Sequence, residues 1–190
     1  MQYHFYAIMS RMKNIFRWGL MRNTRKENLS EHSLEVAQIA HALAIINNKR
    51  LGGNVNADFT AVAAMYHDTS EIITGDMPTP IKYHNQEIKK AYKQIEAIAT
   101  DNLIAKLPED FKGEFYNIYN PDEDTKRLIK AADKISALIK CVEELNMGNR
   151  EFAVAERSTR ELIKQLNCKE ADIFMDEFME SFSLSLDEQN

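Results

Sequence analysis

A chain of 190 residues with 24 Lys+Arg against 29 Asp+Glu has a formal charge of −5; that length allows one domain, and the acidity excludes general coating of nucleic acid. Apolar residues at 44% and charged residues at 28% exclude a disordered chain, and 6 Gly with 4 Pro are too few turn-formers for a many-stranded sandwich or barrel. No run approaches the length of a membrane span, the first residues lack a secretory-signal pattern, and Cys141 and Cys168 make no metal-pair or disulfide framework.

The expectation is therefore an all-α, cytoplasmic protein of one domain, residues 1–190, with no membrane or nucleic-acid polymer as partner and with both cysteines buried or inert. In chain order, residues 3–13 read as a short helix. Residues 14–29 form the one locally basic segment, with Arg17, Trp18, Arg22, Arg25 and Lys26. Ser30 reads as the N-cap of a helix running to Ile46, ended by Asn47-Asn48 and Gly52-Gly53-Asn54. Asn56 caps a second helix through Ile73, and Thr74–Pro80 is a Pro-punctuated loop. A third helix spans 82–106, and Pro108 opens another. Asn120-Pro121-Asp122-Glu123 is a start signal for a helix to Asn146, with Leu128, Ala132, Ile135, Ile139 and Val142 as its apolar stripe and Gly148 at its close. Two helices over 150–165 and 168–181 finish the chain. The last carries Phe174, Phe178 and Phe182 at i, i+4 spacing, a stripe for the core or for a subunit interface.

The chemistry concentrates at His67-Asp68. On a continuous helix Asp68 points with Ala61, Ala64, Met65 and Ile72, and a carboxylate inside an apolar stripe is costly unless it is paired or binds a metal. Glu71 stands one turn on. His32, at the start of the preceding helix, offers an imidazole, and Asp133 offers a carboxylate at the edge of the Leu128–Val142 stripe, where pairing with Lys130 or Lys134 is the plainer reading. His4, His41 and His84 have no such company. The set His32, His67, Asp68 and Asp133, with mixed nitrogen and oxygen donors and no thiolate, suits a divalent transition ion such as Co or Mn, without saying which. Such an ion permits hydrolysis of an anionic substrate, with Glu71 beside it for proton transfer. Arg17 can grip phosphate oxygens and Trp18 can stack on a sugar or base, or they are a solvated charge and a core anchor. The loop after Glu71 can bring Asp76 and Thr79 to a sugar hydroxyl, or be a plain turn.

Longer strings carry a resemblance. Phe16-Arg17-Trp18-Gly19-Leu20-Met21-Arg22-Asn23, Asn28-Leu29-Ser30-Glu31-His32-Ser33-Leu34, Ala64-Met65-Tyr66-His67-Asp68, Thr74-Gly75-Asp76-Met77-Pro78-Thr79-Pro80 and Lys140-Cys141-Val142-Glu143-Glu144-Leu145 resemble the bacterial HD-domain 5′-deoxynucleotidase family over nearly the whole chain. The resemblance implies an HD-type helical bundle of seven to nine helices, with 150–182 packed on the core or at a dimer interface. It also implies a homodimer that hydrolyses deoxyribonucleoside 5′-monophosphates. By position it makes His32, His67, Asp68 and Asp133 the ligands of the ion and Glu71 the group acting on the attacking water or its proton. Arg17 would orient the phosphate. Trp18, His32, Asp76, Met77, Pro78 and Thr79 would complete the substrate site. The rivals are an HD-type hydrolase of a triphosphate, cyclic nucleotide or alarmone, using Arg22, Arg25 and Lys82 for the extra charge, and a catalytically silent nucleotide-binding helical module.

Overall fold

The computed structural model describes residues 2–82 and 84–190, without the side chains of Thr79 and Pro80. Its α-helices are α1 (Phe5–Met9), α2 (Leu29–Arg50), α3 (Ala57–Tyr66), α4 (Glu71–Thr74), α5 (Thr79–Lys82), α6 (Gln86–Ile104), α7 (Glu109–Tyr119), α8 (Glu123–Asn146), α9 (Ala153–Gln165) and α10 (Lys169–Phe178). Short 3-10 turns flank them at Ser10–Asn14, Arg150–Phe152, Met179–Ser183 and Leu186–Gln189. Among the described residues there is no strand, only an isolated antiparallel bridge between Phe16 and Asn28. Leaving out the one-turn α4 and α5, the helix count lies in the expected range, and the all-α expectation holds.

The chain forms two compact units: Met1–Leu20 with Lys26–Ser33 and Tyr66–Asn120, and Met21–Arg25 with Leu34–Met65 and Pro121–Asn190. The first is built on an aromatic and aliphatic core of Phe5, Leu103, Ile104, Leu107 and Phe115, with Tyr66 and Tyr119 packed against it. The Phe5 and Phe115 rings meet edge-on at 4.8 Å, the arrangement that ring quadrupoles favour. In the second unit the expected α8 stripe is wholly buried, and it packs with Val36, Ala40 and Leu43 of α2, Ala63 and Ala64 of α3, and Ile163, Ala171 and Phe174 of the C-terminal helices. Phe174 and Phe182 join this core, whereas Phe178 is 43% exposed; the i, i+4 stripe is therefore core at both ends and open in the middle.

Several boundaries differ from expectation, each for a local reason. The cap of α2 is Asn28, not Ser30: its Oδ1 accepts from the Ser30 and Glu31 N–H groups, and Glu31 accepts from the Asn28 N–H, a reciprocal capping box. The helix also runs past Asn47-Asn48 to Arg50, because both asparagine side chains bond elsewhere: Asn47 to Glu170, and Asn48 to the Val55 backbone. Asp122, not Asn120, caps α8 and accepts from the Thr125 N–H. Asn56 does cap α3, accepting from the Phe59 N–H. The anticipated helix through Ile73, however, stops at Tyr66. There the Thr69 hydroxyl donates to the Tyr66 carbonyl, and Glu71 N–H reaches Asp68 O three residues back, so 67–70 is a tight turn. Met65, within α3 itself, is 43% exposed and so does not lie on a buried face with Asp68. Both cysteines are buried free thiols, and burial pushes Cys168 up to about 11, which keeps it unreactive.

Candidate metal and substrate site

The turn after α3 delivers His67 and Asp68 together, and α7 fixes that turn through a 2.8 Å bond between the Thr69 and Tyr119 hydroxyls. His32 lies one turn into α2, fully buried. Its Nε2 stands 3.6 Å from Asp68 Oδ2, and the His67 Nε2 stands 3.0 Å from the same oxygen. Asp133, the fourth expected ligand, is carried by α8 in the second unit. Asp133 also makes the plainer contact anticipated for it, a 2.9 Å pair with Lys134.

These spacings fit a divalent ion. Metal–donor bonds of about 2.1 Å place neighbouring donors about 3.0–3.4 Å apart and opposite ones about 4.2 Å apart. Imidazole nitrogens and carboxylate oxygens together are a donor set for Mn, Co, Fe, Ni or Zn.

Around Asp68 the charges are unequal. Burial favours the neutral acid, yet His67 and then His32 hold this carboxyl well below the usual carboxylate range. Arg17 adds a 3.5 Å contact to the same Oδ2. Glu71, buried at the start of α4, is displaced the other way, up to about 8, by burial first and then by the negative charges of Asp68 and Asp76, with Lys82 and Arg17 opposing. Its Oε1 is 3.9 Å from Lys82, and its Oε2 is buried with no hydrogen-bond partner among the described residues.

Lys82 itself is held by Glu96 at 2.9 Å and lies over the Tyr92 ring. Tyr92 in turn meets the Thr74 hydroxyl at 3.2 Å, so α6 steadies the loop after α4. Gly75 takes φ +73° there, a conformation open to glycine. Asp76 accepts the Trp18 backbone N–H, and burial raises its carboxyl. Met77 and Pro78 are half-buried in the same loop. The candidate sugar contact at Thr79 rests on a side chain outside those described.

The basic segment is organised by its one bridge. Arg17 N–H donates to the Glu27 carbonyl and Leu29 N–H to the Ile15 carbonyl, which sets Glu27 beside residues ten positions earlier. Glu27 accepts from the Trp18 indole at 2.9 Å and contacts Arg17 Nε at 3.4 Å. Its other oxygen is 3.7 Å from His32 Nδ1. Sequence reading missed Glu27; its only signal was a lone acid at the end of a basic run. Of the other cations, Arg22 pairs with Glu151 at 2.6 Å, and the Arg25 carbonyl accepts from Lys140.

The family model of YfbR-like 5′-deoxynucleotidases matches residues 4–182. A 5′-deoxynucleotidase of Vibrio vulnificus is 50% identical over 188 residues, covering 97% of each chain. One of Photorhabdus laumondii is 51% identical over 97% of this chain and 95% of its own. Among solved structures, an HD-domain phosphohydrolase from Listeria innocua is similar at TM-score 0.81 and 22% identity, over 94% of this chain and 88% of its own. A cyanophage S-2L HD phosphohydrolase bound to dA and one catalytic Zn2+ ion is similar at TM-score 0.69 and 20% identity, over 96% and 98%. With the expected all-α architecture and the His/Asp donor group in place, the chain belongs to the YfbR-like 5′-deoxynucleotidase family.

Proposed function

We infer that this protein is a divalent-metal-dependent 5′-deoxynucleotidase, hydrolysing deoxyribonucleoside 5′-monophosphates to deoxyribonucleoside and phosphate. The observation that carries this is identity of about 50% to curated 5′-deoxynucleotidases over nearly the full length of both chains. In this reading His32, His67, Asp68 and Asp133 hold the ion. When bound, a divalent ion offsets phosphate charge and makes water a better nucleophile near neutral pH.

The remaining work falls to the chain's own residues. Arg17, the one guanidinium in contact with Asp68 among the described residues, orients the phosphate. The water oxygen forms a new bond to phosphorus as the bond to the 5′-oxygen breaks. Glu71, a carboxyl pushed up to about 8, is the proton carrier to that departing oxygen, the role for which a raised pKa suits a carboxylic acid. Trp18 and the Asp76–Thr79 loop hold the deoxyribose, with Met77 and Pro78 shaping that side, and His32 borders the substrate as well as the ion.

The reading extends to one functional domain that acts as a homodimer in the cytoplasm; no described helix is long and apolar enough to cross a membrane. A monomeric mass in solution removes the dimer. The central test is phosphate release from a panel of deoxyribo- and ribonucleoside mono- and triphosphates with Mn, Co or a chelator. Turnover of the deoxynucleoside monophosphates, abolished by the chelator, is expected. A metal-loaded protein inert on all of them overturns the assignment.

A further inference from the structure

We propose that Glu27 is the positioning residue that fixes the Trp18 indole and, through it, the enzyme's preference for deoxyribose. The proposal rests on the reading of Trp18 as a sugar-contacting residue. Trp18 is the chain's only tryptophan, and its backbone takes φ +59°, a left-handed value that a bulky side chain rarely adopts. Such a conformation persists where its surroundings over-determine it. Two carboxylates do so here: Asp76 takes the backbone N–H, and Glu27 takes the indole N–H at 2.9 Å.

The indole of a tryptophan has one donor and no acceptor. A single acceptor at Nε1 therefore sets the rotation of the ring about its last side-chain torsion. Glu27 is itself confined. Its side chain is only 12% exposed, its backbone carbonyl is tied to Arg17 N–H, and its second oxygen faces His32 Nδ1 at 3.7 Å. One partly buried carboxylate thus refers the orientation of the indole to two groups of the proposed catalytic centre, Arg17 and His32. Discrimination against a ribose 2′-hydroxyl is a steric comparison within about one atom's width. It needs a ring held in place, not merely a ring present.

The single tryptophan gives a readout independent of turnover. Glu27→Ala should red-shift the intrinsic emission of the metal-loaded enzyme and make it more open to acrylamide. It should also cut the ratio of kcat/KM for deoxy- over ribonucleoside monophosphate by about tenfold, the loss expected for one charge-assisted bond. Bound metal should be retained. Glu27→Gln, whose amide oxygen still accepts the indole N–H, should restore both emission and selectivity. Glu27→Asp keeps the charge but withdraws it by one methylene, and it should repeat the alanine effect; it carries the test should E27A fail to fold. In Trp18→Ala the same selectivity should vanish, and adding E27A should lower it no further.

Wild-type emission and selectivity in E27A and E27D overturn the proposal, as does loss of metal with selectivity intact, which would place the action of Glu27 on His32 alone. Wild-type selectivity in W18A overturns the underlying reading of Trp18 and this proposal with it. Lost selectivity in W18A beside full selectivity in E27A and E27D overturns the proposal alone.

Discussion

The buried Lys140–Glu144 pair of α8 permits a sharp test of how the 22–25 segment is held. Both side chains are almost inaccessible, 6% and 1% exposed, and they are bonded one turn apart. Glu144 also accepts from the Thr24 N–H at 2.9 Å, the Thr24 hydroxyl, the Arg25 N–H at 3.2 Å and Asn149 Nδ2 at 2.8 Å. Lys140 in turn donates to the Arg25 carbonyl and lies over the Phe152 ring. Glu144→Ala leaves a buried ammonium without its counter-charge and two peptide N–H groups without an acceptor, a loss of about 3–5 kcal/mol. For a chain of this length each kcal/mol moves the melting temperature by about 2–4 °C, so the midpoint should fall by about 6–20 °C. Circular-dichroism melts and urea titration at pH 7 measure it. Lys140→Met with Glu144→Leu should recover part of the loss but not all, because Thr24 and Arg25 would still lack their partner. The pH dependence has a defined sign. Burial opposes ionisation of Glu144, but Lys140, Thr24 and Asn149 hold its carboxyl below the usual carboxylate range. Its contribution is thus present above the ordinary 4.5 and drains away as the pH falls towards the folded-state value. An E144A protein within about 1 kcal/mol of wild type would refute the reasoning, because the buried ammonium would then have found water or another anion.

Three further outcomes are expected. Asp68→Ala should lose bound metal and turnover together, read by metal analysis beside phosphate release; wild-type metal content would remove Asp68 from the ligands. Glu71→Gln should keep its metal while turnover drops about 10²–10⁴-fold, whereas departure of the ion would make Glu71 a ligand. Glu170, bonded by both Arg127 terminal nitrogens at 2.7 and 2.8 Å, has its carboxyl drawn down to about 2, chiefly by that arginine. Its folded-state pKa is depressed, so it should contribute at most about 3 kcal/mol above pH 4.5 and lose it between about pH 4.5 and 2. In Glu170→Gln the urea midpoint should respond less to pH over that interval, and an unchanged slope would count against the pair.

The parts of this fold governed by one period were legible in the sequence. The α8 stripe is a clean i, i+3, i+4 pattern, and every member named from sequence is buried. His32, His67, Asp68 and Asp133 could be named as candidates because metal chemistry restricts the residue types, and both histidines do stand against Asp68. What escaped depends on competition between hydrogen-bond partners. Thr69 does not by itself forbid a helix, but its hydroxyl takes the Tyr66 carbonyl, and the helix ends before His67. Ser30 and Asn28 are both good caps; the choice fell to Asn28 because Glu31, three residues on, completes the box. Glu27 escaped for a different reason. Its position follows from a bridge between Phe16 and Asn28, a pairing without periodicity in a segment that forms no strand.

The turn at 67–70 has a consequence for the chemistry. On an unbroken helix Asp68 and Glu71 would share one face and much the same surroundings. With the break, Asp68 faces both histidines and Arg17, and they stabilise its charge. Glu71 opens a new helical segment among buried groups and meets Lys82 only at 3.9 Å, too far to offset its burial and the charges of Asp68 and Asp76. Two carboxyls three residues apart are thereby driven in opposite directions, one towards permanent ionisation and one towards holding a proton near neutral pH. The proposed mechanism uses that division, because an anionic metal ligand and a proton donor are incompatible roles for one carboxyl group at one pH. A helix that continued through Thr69 would remove the separation, and a variant made to do so, such as Thr69→Ala, should lower turnover although residue 69 touches neither substrate nor ion in the proposed mechanism.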